Sequence, residues 1–488
     1  MSKSRRAGLL AAACCMGFLA SAASAETLTD AVALAYQTNP TIQQQRAVQR
    51  AADEGVVQAK TGFRPTVGLD GSISGSRTDL AHPRTSVVGG QVVTGDVTKS
   101  ASSGATLSLS QPLYTGGQAS ARLSAAEADV LAGREDLRGV EQGVLANVIT
   151  AYVDVRRGQE SLRIAQENVS VLTRQLDESN ARFEVGEITR TDVAQSQARL
   201  AAAKASLSSS QANLAVARAN YAQVVGQNPT DLAPEPSLAE LLPASVEQAF
   251  DAAEANNPTV QAARYSERAA SARVAQAKSA YLPTVSAGAS LGYSANEVNG
   301  EYKQFGEYDR AISGSVTARV PLFTGGLNAS NVRTAKEREN AARIAVEGAK
   351  RNVVQQVSAA WSTLLAARAN LVSNEEQVRA TKIAFEGVRQ EQQVGLRTTL
   401  DVLNAQQELR AAELALVTAR RDEYVASAGV LQAMGALDVA KLAPSVERYD
   451  PKTSYDRVVN SGWVPWEPLV RTIDKVASPA IATSPGGK

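Results

Sequence analysis

The feature that most limits this chain is a phrase written twice. "VGEITRTDVAQSQARL" begins at Val185 and "VGLRTTLDVLNAQQEL" at Val394, so Gly186 and Gly395 stand 209 positions apart, as do Asp192 and Asp401. The same offset joins "PLYTGG" at Pro112 to "PLFTGG" at Pro321. Upstream the offset is 218: Asn39-Pro40 answers to Asn257-Pro258, and "FRPTV" at Phe63 to "YLPTV" at Tyr281. The extra nine residues must lie in the first copy between Pro65 and Pro112, where "GSRTDLAHPRTSVVGGQVVTGDVTKS" is expected to form a long loop. A period this large is no solenoid repeat. It divides the chain into half-molecules at 26–242 and 243–440, followed by a tail over 441–488.

Each half carries the same order of elements. A first helix of roughly 35 residues leads to a proline. Two short alternating segments follow, then a long Pro-free run interrupted by the glycine phrase. In the first copy Val67, Leu69, Gly71 and Ile73 alternate with Gly68, Asp70, Ser72 and Ser74, and Ala105, Leu107 and Leu109 alternate on the way back. In the second, Val285, Ala287, Ala289, Leu291 and Tyr293 do the same, as do Ile312, Val316, Ala318 and Val320. Period-two patterning means strands with one apolar and one polar face. About ten residues is the length a tilted strand needs to cross hydrocarbon. An ordinary antiparallel sheet lying on a core is the alternative, but no amphipathic element is left over to cover it.

The helices use their stripes on one another. Leu162, Ala165, Val169, Leu172, Leu176, Ser179 and Phe183 follow 3-4 spacing, and the register runs back through Val155, Ala151, Val148, Val144, Leu137 and Val130. Such a seam packs helices side by side over a long distance. Its many alanines let neighbours approach closely. A plain coiled-coil structural or adhesion rod would explain the seam, yet it leaves the strands without a purpose.

The N-terminus reads as an export signal over 1–25: Lys3, Arg5 and Arg6, then the apolar "AGLLAAACCMGFLA", then "ASA" ending at Ala25. Losing those three cations takes the formal net charge from +1 to −2, which speaks against nucleic acid as a partner. The only cysteines, Cys14 and Cys15, leave with the signal, so disulfides, thiolate nucleophiles and cysteine metal sites are excluded. No later segment approaches ~18 uninterrupted apolar residues, so any membrane entry must be made by strands. The one histidine, His82, falls in the expected loop, and no phosphate loop, nucleophile elbow or paired His-Glu motif accompanies it. The chain is expected to be neither an enzyme nor a holder of metal or cofactor.

Four strands cannot close a barrel, and an open edge in lipid leaves backbone groups unpaired at several kcal/mol each. Three chains would pool twelve strands, an even number within the usual range.

With "LYTGG"/"LFTGG" after a strand, "VGxxxxxDV" in both halves and "NPT" in the first helix of each, the chain resembles the outer-membrane efflux protein (TolC) family over nearly its whole mature length. The resemblance implies an α+β membrane protein: a homotrimer with a 12-stranded transmembrane β-barrel in outer-membrane lipid, continuous with a 12-helix periplasmic α-barrel. It also implies a periplasmic adaptor (membrane fusion) protein and an inner-membrane ABC or RND-type transporter as partners, and drugs, small molecules or unfolded proteins as cargo. A periplasmic adaptor subunit is itself the nearer alternative, though it would not carry two such strands before each hairpin.

By their own chemistry the glycine phrases are helix-to-helix turns, with Gly186 and Gly395 at positive φ, Thr398 or Thr399 capping the returning helix, and Asp401 in its first turn. The resemblance adds roles. Asp401 matches an acid of a ring at the periplasmic entrance, whose three copies would favour cations and raise one another's pKa; the second ring acid is replaced by Asn404. Arg397 matches a latch that pairs with an acid of the neighbouring helix pair, a part that Asp192 fits, and the third latch member is Gln392. Val185, Gly186 and Glu187, with Val394, Gly395 and Leu396, match adaptor-docking tips. The Pro-rich tail is expected either to wrap the helices or to stay disordered.

Overall fold

A computed structural model of the chain describes residues 25–88, 91–298, 308–476 and 478–479. The first half runs α1 (Leu28–Thr38), α2 (Pro40–Lys60), β1 (Thr66–Val88), β2 (Gln91–Tyr114), α3 (Gln118–Glu184) and α4 (Arg190–Val225). The second repeats that order as α5 (Val246–Asn256), α6 (Pro258–Ser279), β3 (Thr284–Val298), β4 (Asp309–Arg319), α7 (Leu327–Gln393) and α8 (Thr399–Ala433). Three short helices end the chain: α9 (Val439–Leu442), α10 (Pro451–Val458) and α11 (Glu467–Lys475). Both α3 and α7 have 67 residues. Among the described residues no helix is long and apolar enough to cross a membrane.

The expected single first helix is two helices in each half. Asn39 and Asn257 adopt extended backbone, and each side chain accepts from the amide two residues on, Thr41 and Thr259, at 2.9 Å. A residue before proline is pushed out of the α region, while proline itself fits the first helical position, which needs no N–H partner. The Asn-Pro landmark therefore stops one helix and starts the next.

The strands form one antiparallel sheet in the order β1-β2-β3-β4. The expected loop in the first copy is strand instead: β1 has 23 residues and β2 has 24, against 15 and 11 for β3 and β4. Hydroxyl pairs bridge this part of the ladder, Ser74 to Ser102 at 2.7 Å and Ser76 to Ser100 at 2.8 Å. Polar composition was mistaken for turn chemistry. Pro83 and His82 fall where the register slips between Asp79 and Arg84, a place where a residue without an N–H costs the ladder nothing.

Register brings the apolar positions to a common level. Leu69 faces Leu107, Leu107 faces Leu291, and Leu291 faces Ile312. This face is bare: Leu69, Ile73, Ile312 and Val316 are exposed. From Val285 to Tyr293 it rises about 26 Å at ~3.3 Å per residue.

The chain forms two compact units. One comprises 25–35, 147–240 and 370–425. Its core joins the expected seam residues Leu172, Val169 and Leu176 to Leu200, Ala203 and Leu403. Ser179 sits on the same seam because its hydroxyl meets that of Ser196 at 3.0 Å, so neither polar atom is stranded. In the same unit Tyr152 donates to the Glu26 carbonyl, and burial pushes its phenol up to about 12.

The other unit comprises the described residues of 36–146, 241–369 and 426–479, which take in the end of α8 and the tail. Val260, Val353, Val357, Leu364, Val430 and Met434 form one core cluster, and Val56, Phe63, Leu123, Val130 and Val470 another. The described residues of the tail pack on this unit. Arg46 stacks between the Tyr36 and Tyr449 rings at 4.5 and 4.6 Å, Lys60 donates to the Val459 carbonyl, and Arg64 pairs with Glu467 at 2.8 Å. Asp474 reaches Thr115, Gly117 and Ser120 at the start of α3. A Cβ on Gly117 would run into Ser478, whereas one on its counterpart Gly326 would meet nothing within 4 Å.

Candidate functional site: the two helical turns

The α3–α4 and α7–α8 turns close in the same way. Gly186 has φ 81° and Gly395 φ 80°. The Gly186 amide donates to the Phe183 carbonyl and the Glu187 amide to that of Arg182; Gly395 donates to Gln392 and Leu396 to Glu391. Each turn is thus a Schellman motif that satisfies carbonyls left over at the helix end. No atom lies within 4 Å of the place a Cβ would take at either glycine, so glycine is required by backbone angle alone.

The returning helices start on reciprocal caps. Thr189 accepts from the Asp192 amide, and Asp192 accepts from the Thr189 amide and hydroxyl. Thr398 and Asp401 repeat the arrangement, with the Thr398 hydroxyl 2.8 Å from the Asp401 carboxylate. The cap is therefore Thr398 rather than Thr399. These hydrogen bonds from threonine hydroxyl and amide hold both aspartates below the usual carboxylate range. Within the chain, then, Asp401 is shifted down, opposite to the rise expected from crowding three copies.

Each turn also carries an ion pair, with the polarity reversed between copies. Arg182 reaches Glu187 at 3.0 Å in the first, and Glu391 reaches Arg397 at 2.8 Å in the second. Arg182 and Glu391 are counterparts at the 209 offset, so the charge swap is legible in the sequence itself. Among the described residues no ion pair joins Arg397 to Asp192. Gln392 is buried, and its Nε2 finds no acceptor in the chain.

Asn404 is not idle. Arg199 of α4 donates to its Oδ1 at 3.0 Å and also to Gln407 one turn further along α8. A guanidinium thus stands where the second ring acid was looked for. Arg199 was not singled out from sequence, because its partners lie two hundred positions away with no spacing to announce them. At the tips Val185, Val394 and Leu396 are each more than 70 % exposed, at 73, 72 and 75 %.

A family model described as "Outer membrane efflux protein" matches residues 31–227 and again 249–436. The chain is 37 % identical over 442 residues to the outer membrane efflux protein BepC of Brucella suis biovar 1, covering 91 % of this chain and 92 % of that one. It is 28 % identical to the outer membrane protein TolC of Vibrio cholerae, with 86 and 93 % of the two chains covered. Among solved structures, the outer membrane protein VceC of Vibrio cholerae superposes with a TM-score of 0.67 at 21 % identity, over 84 % of this chain and 96 % of that one, a likeness of fold.

Proposed function

This chain belongs to the outer membrane efflux protein family, and from that premise we propose that three copies close one export tunnel gated at the α3–α4 and α7–α8 turns. As an outer-membrane channel it works by offering a path rather than by catalysis. The observation that carries the trimer is the open sheet. β1 and β4 are its edges, their apolar residues are bare and in register, and Leu322 and Phe323 beyond β4 are 93 and 90 % exposed. An apolar face about 26 Å tall matches the ~25 Å lipid-facing band of outer-membrane barrels. An edge cannot be left open in lipid, so β4 of one copy pairs with β1 of the next until twelve strands close.

The helical hairpins of the three copies form the periplasmic continuation, built from half-molecules 26–242 and 243–440 behind a cleaved signal 1–25. Val185, Gly186, Glu187, Val394, Gly395 and Leu396 receive a periplasmic adaptor, which joins the tunnel to an inner-membrane ABC or RND-type transporter. Asp401 supplies three negative charges at the entrance. At Asn404 the Arg199 guanidinium stands in place of a second acid, which weakens cation preference relative to a ring of six acids. Arg397 latches the closed state by reaching Asp192 of the adjoining hairpin, exchanging its bond to Glu391.

The test is the mass and conductance of detergent-extracted protein. The reading requires a three-chain particle that forms ion channels in planar bilayers; a water-soluble monomer that forms none removes it.

A further inference from the structure

The short helix α11 has a face the fold does not use. Glu467, Val470 and Asp474 turn inward: Glu467 pairs with Arg64, Val470 joins the cluster of Val56, Phe63 and Leu123, and Asp474 binds the start of α3. At 100° per residue, Leu469, Ile473 and Val476 fall together on a second face centred about 130° round the helix from the first. All three are exposed, Val476 by 83 %, and so are Trp463 and Trp466 just ahead of the helix. Arg471 and Lys475 lie one turn apart on the edge between the two faces. A helix with an aliphatic stripe, flanking tryptophans and a basic edge has the make-up of one that lies in a membrane interface.

Its position fits that make-up. Trp466 donates from Nε1 to Oε1 of Gln111 at 3.0 Å, two residues beyond Leu109, the last apolar-face position named in β2. Asp474 binds Thr115, the residue after β2 ends. The helix therefore runs beside the strand end nearest α3. At the corresponding ends of β3 and β4, Tyr281, Leu322 and Phe323 are exposed. Exposed aromatics at strand ends form the girdle that sits among lipid headgroups.

We propose that α11, with Trp463 and Trp466, is an interfacial lipid-binding element: its Leu469–Ile473–Val476 stripe enters the periplasmic leaflet of the outer membrane where the strands leave it, and Arg471 and Lys475 meet lipid phosphates. The proposal rests on the reading of the four strands as membrane-spanning. It commits to phospholipid as occupant because the stripe continues the apolar surface of the sheet across the Trp466–Gln111 contact.

The chain's three tryptophans make a direct test. Trp361 is half-buried and packs against the core cluster around Val357 and Leu364. Full-length protein is reconstituted into phosphatidylcholine–phosphatidylglycerol vesicles containing phospholipid brominated either near the glycerol end or near the chain terminus. Trp361→Phe, which reports Trp463 and Trp466 alone, is expected to be quenched more by the shallow bromines than by the deep ones. The double variant Trp463→Phe/Trp466→Phe is expected to lose that shallow quenching. Leu469→Ser/Ile473→Ser should reduce it while single-channel conductance stays unchanged. If Trp361→Phe inserts and conducts but is not quenched, the lipid assignment falls and the channel reading stands. If in addition Leu469→Ser/Ile473→Ser breaks up the assembly, the stripe is a contact between copies. Failure of the unaltered chain to insert would remove both.

Discussion

Oδ2 of Asp474 lies 2.7 Å from the hydroxyl oxygen of Ser120, 354 positions earlier in the chain. The same carboxylate accepts from the Ser120 and Gly117 amides and from both the amide and hydroxyl of Thr115. A helix begins with N–H groups that have no partner and a positive dipole end. Here α3 takes part of its cap from the tail, alongside the Thr115 hydroxyl, which accepts from the Ala119 amide at 2.9 Å.

Asp474→Ala should therefore uncap a buried helix start. Leaving several donors unsatisfied costs about 1–3 kcal/mol. The expected outcome is faster proteolysis of the tail at Arg471 and Lys475 with the channel still assembled, read by limited trypsin digestion.

The same contact has a defined pH dependence. Burial pushes the Asp474 carboxyl up, but hydrogen bonds from Ser120, Thr115 and Gly117 outweigh it and leave the group below its ordinary range. A depressed folded pKa means stabilisation is complete above the unfolded value of about 3.9 and is lost as pH falls through the folded one. Tail tryptophan emission should stay constant from neutral pH to about 5 and shift below about 4; Asp474→Asn should abolish the acid-side shift.

At the turns, Gly395→Ala meets no steric obstacle, so its cost should be that of the left-handed backbone alone, ~1–2 kcal/mol. Val394→Asp/Leu396→Asp, in contrast, should leave the thermal transition within a degree or two of the parent, about the effect of a surface change, and abolish capture of a periplasmic adaptor. Retained capture would dismiss the docking tips.

Arg397 and Glu391 should differ in sign. Arg397→Ala removes the latch and should raise single-channel conductance. Glu391→Gln releases Arg397 from its partner in the same turn, which favours the link to Asp192, so conductance should not rise. An increase in both variants would mean that the turn, and not a latch between hairpins, keeps the entrance narrow.

Charge at the entrance gives a further pair. Asp401→Ala should reduce cation preference, and Arg199→Ala should increase it by removing the guanidinium bonded to Asn404, about one turn along α8 from Asp401. Reversal potentials under a salt gradient read both, and shifts in the same direction would overturn the arrangement.

How much of this was legible depended on range. The seam through Val169, Leu172 and Leu176 was readable because helix periodicity is local, and Ser179 was rightly kept on it. Gly186, Gly395 and the threonine caps were readable for the same reason. The strand between Gly75 and Ser100 was missed because a ladder of serine and threonine hydroxyls looks like a polar loop until its partner strand is seen. Arg199 and Asp474 were missed for another reason: each acts on a partner hundreds of positions away, and a lone arginine or aspartate in a polar stretch gives no sign of it.

The tail reaches one strand-to-helix corner and not its counterpart. Thr115 and Gly117 donate to Asp474 and Gly117 lies against Ser478, while at the counterpart corner nothing lies within 4 Å of the place a Cβ would take on Gly325 or Gly326, and the Thr324 hydroxyl accepts from the Asn328 amide at 3.5 Å. Six separate identical subunits could not be unlike in this way; a fused pair can. In the ring of three proposed above the joints would alternate between pinned and free, so a twist applied to the helices would be taken up at every second corner.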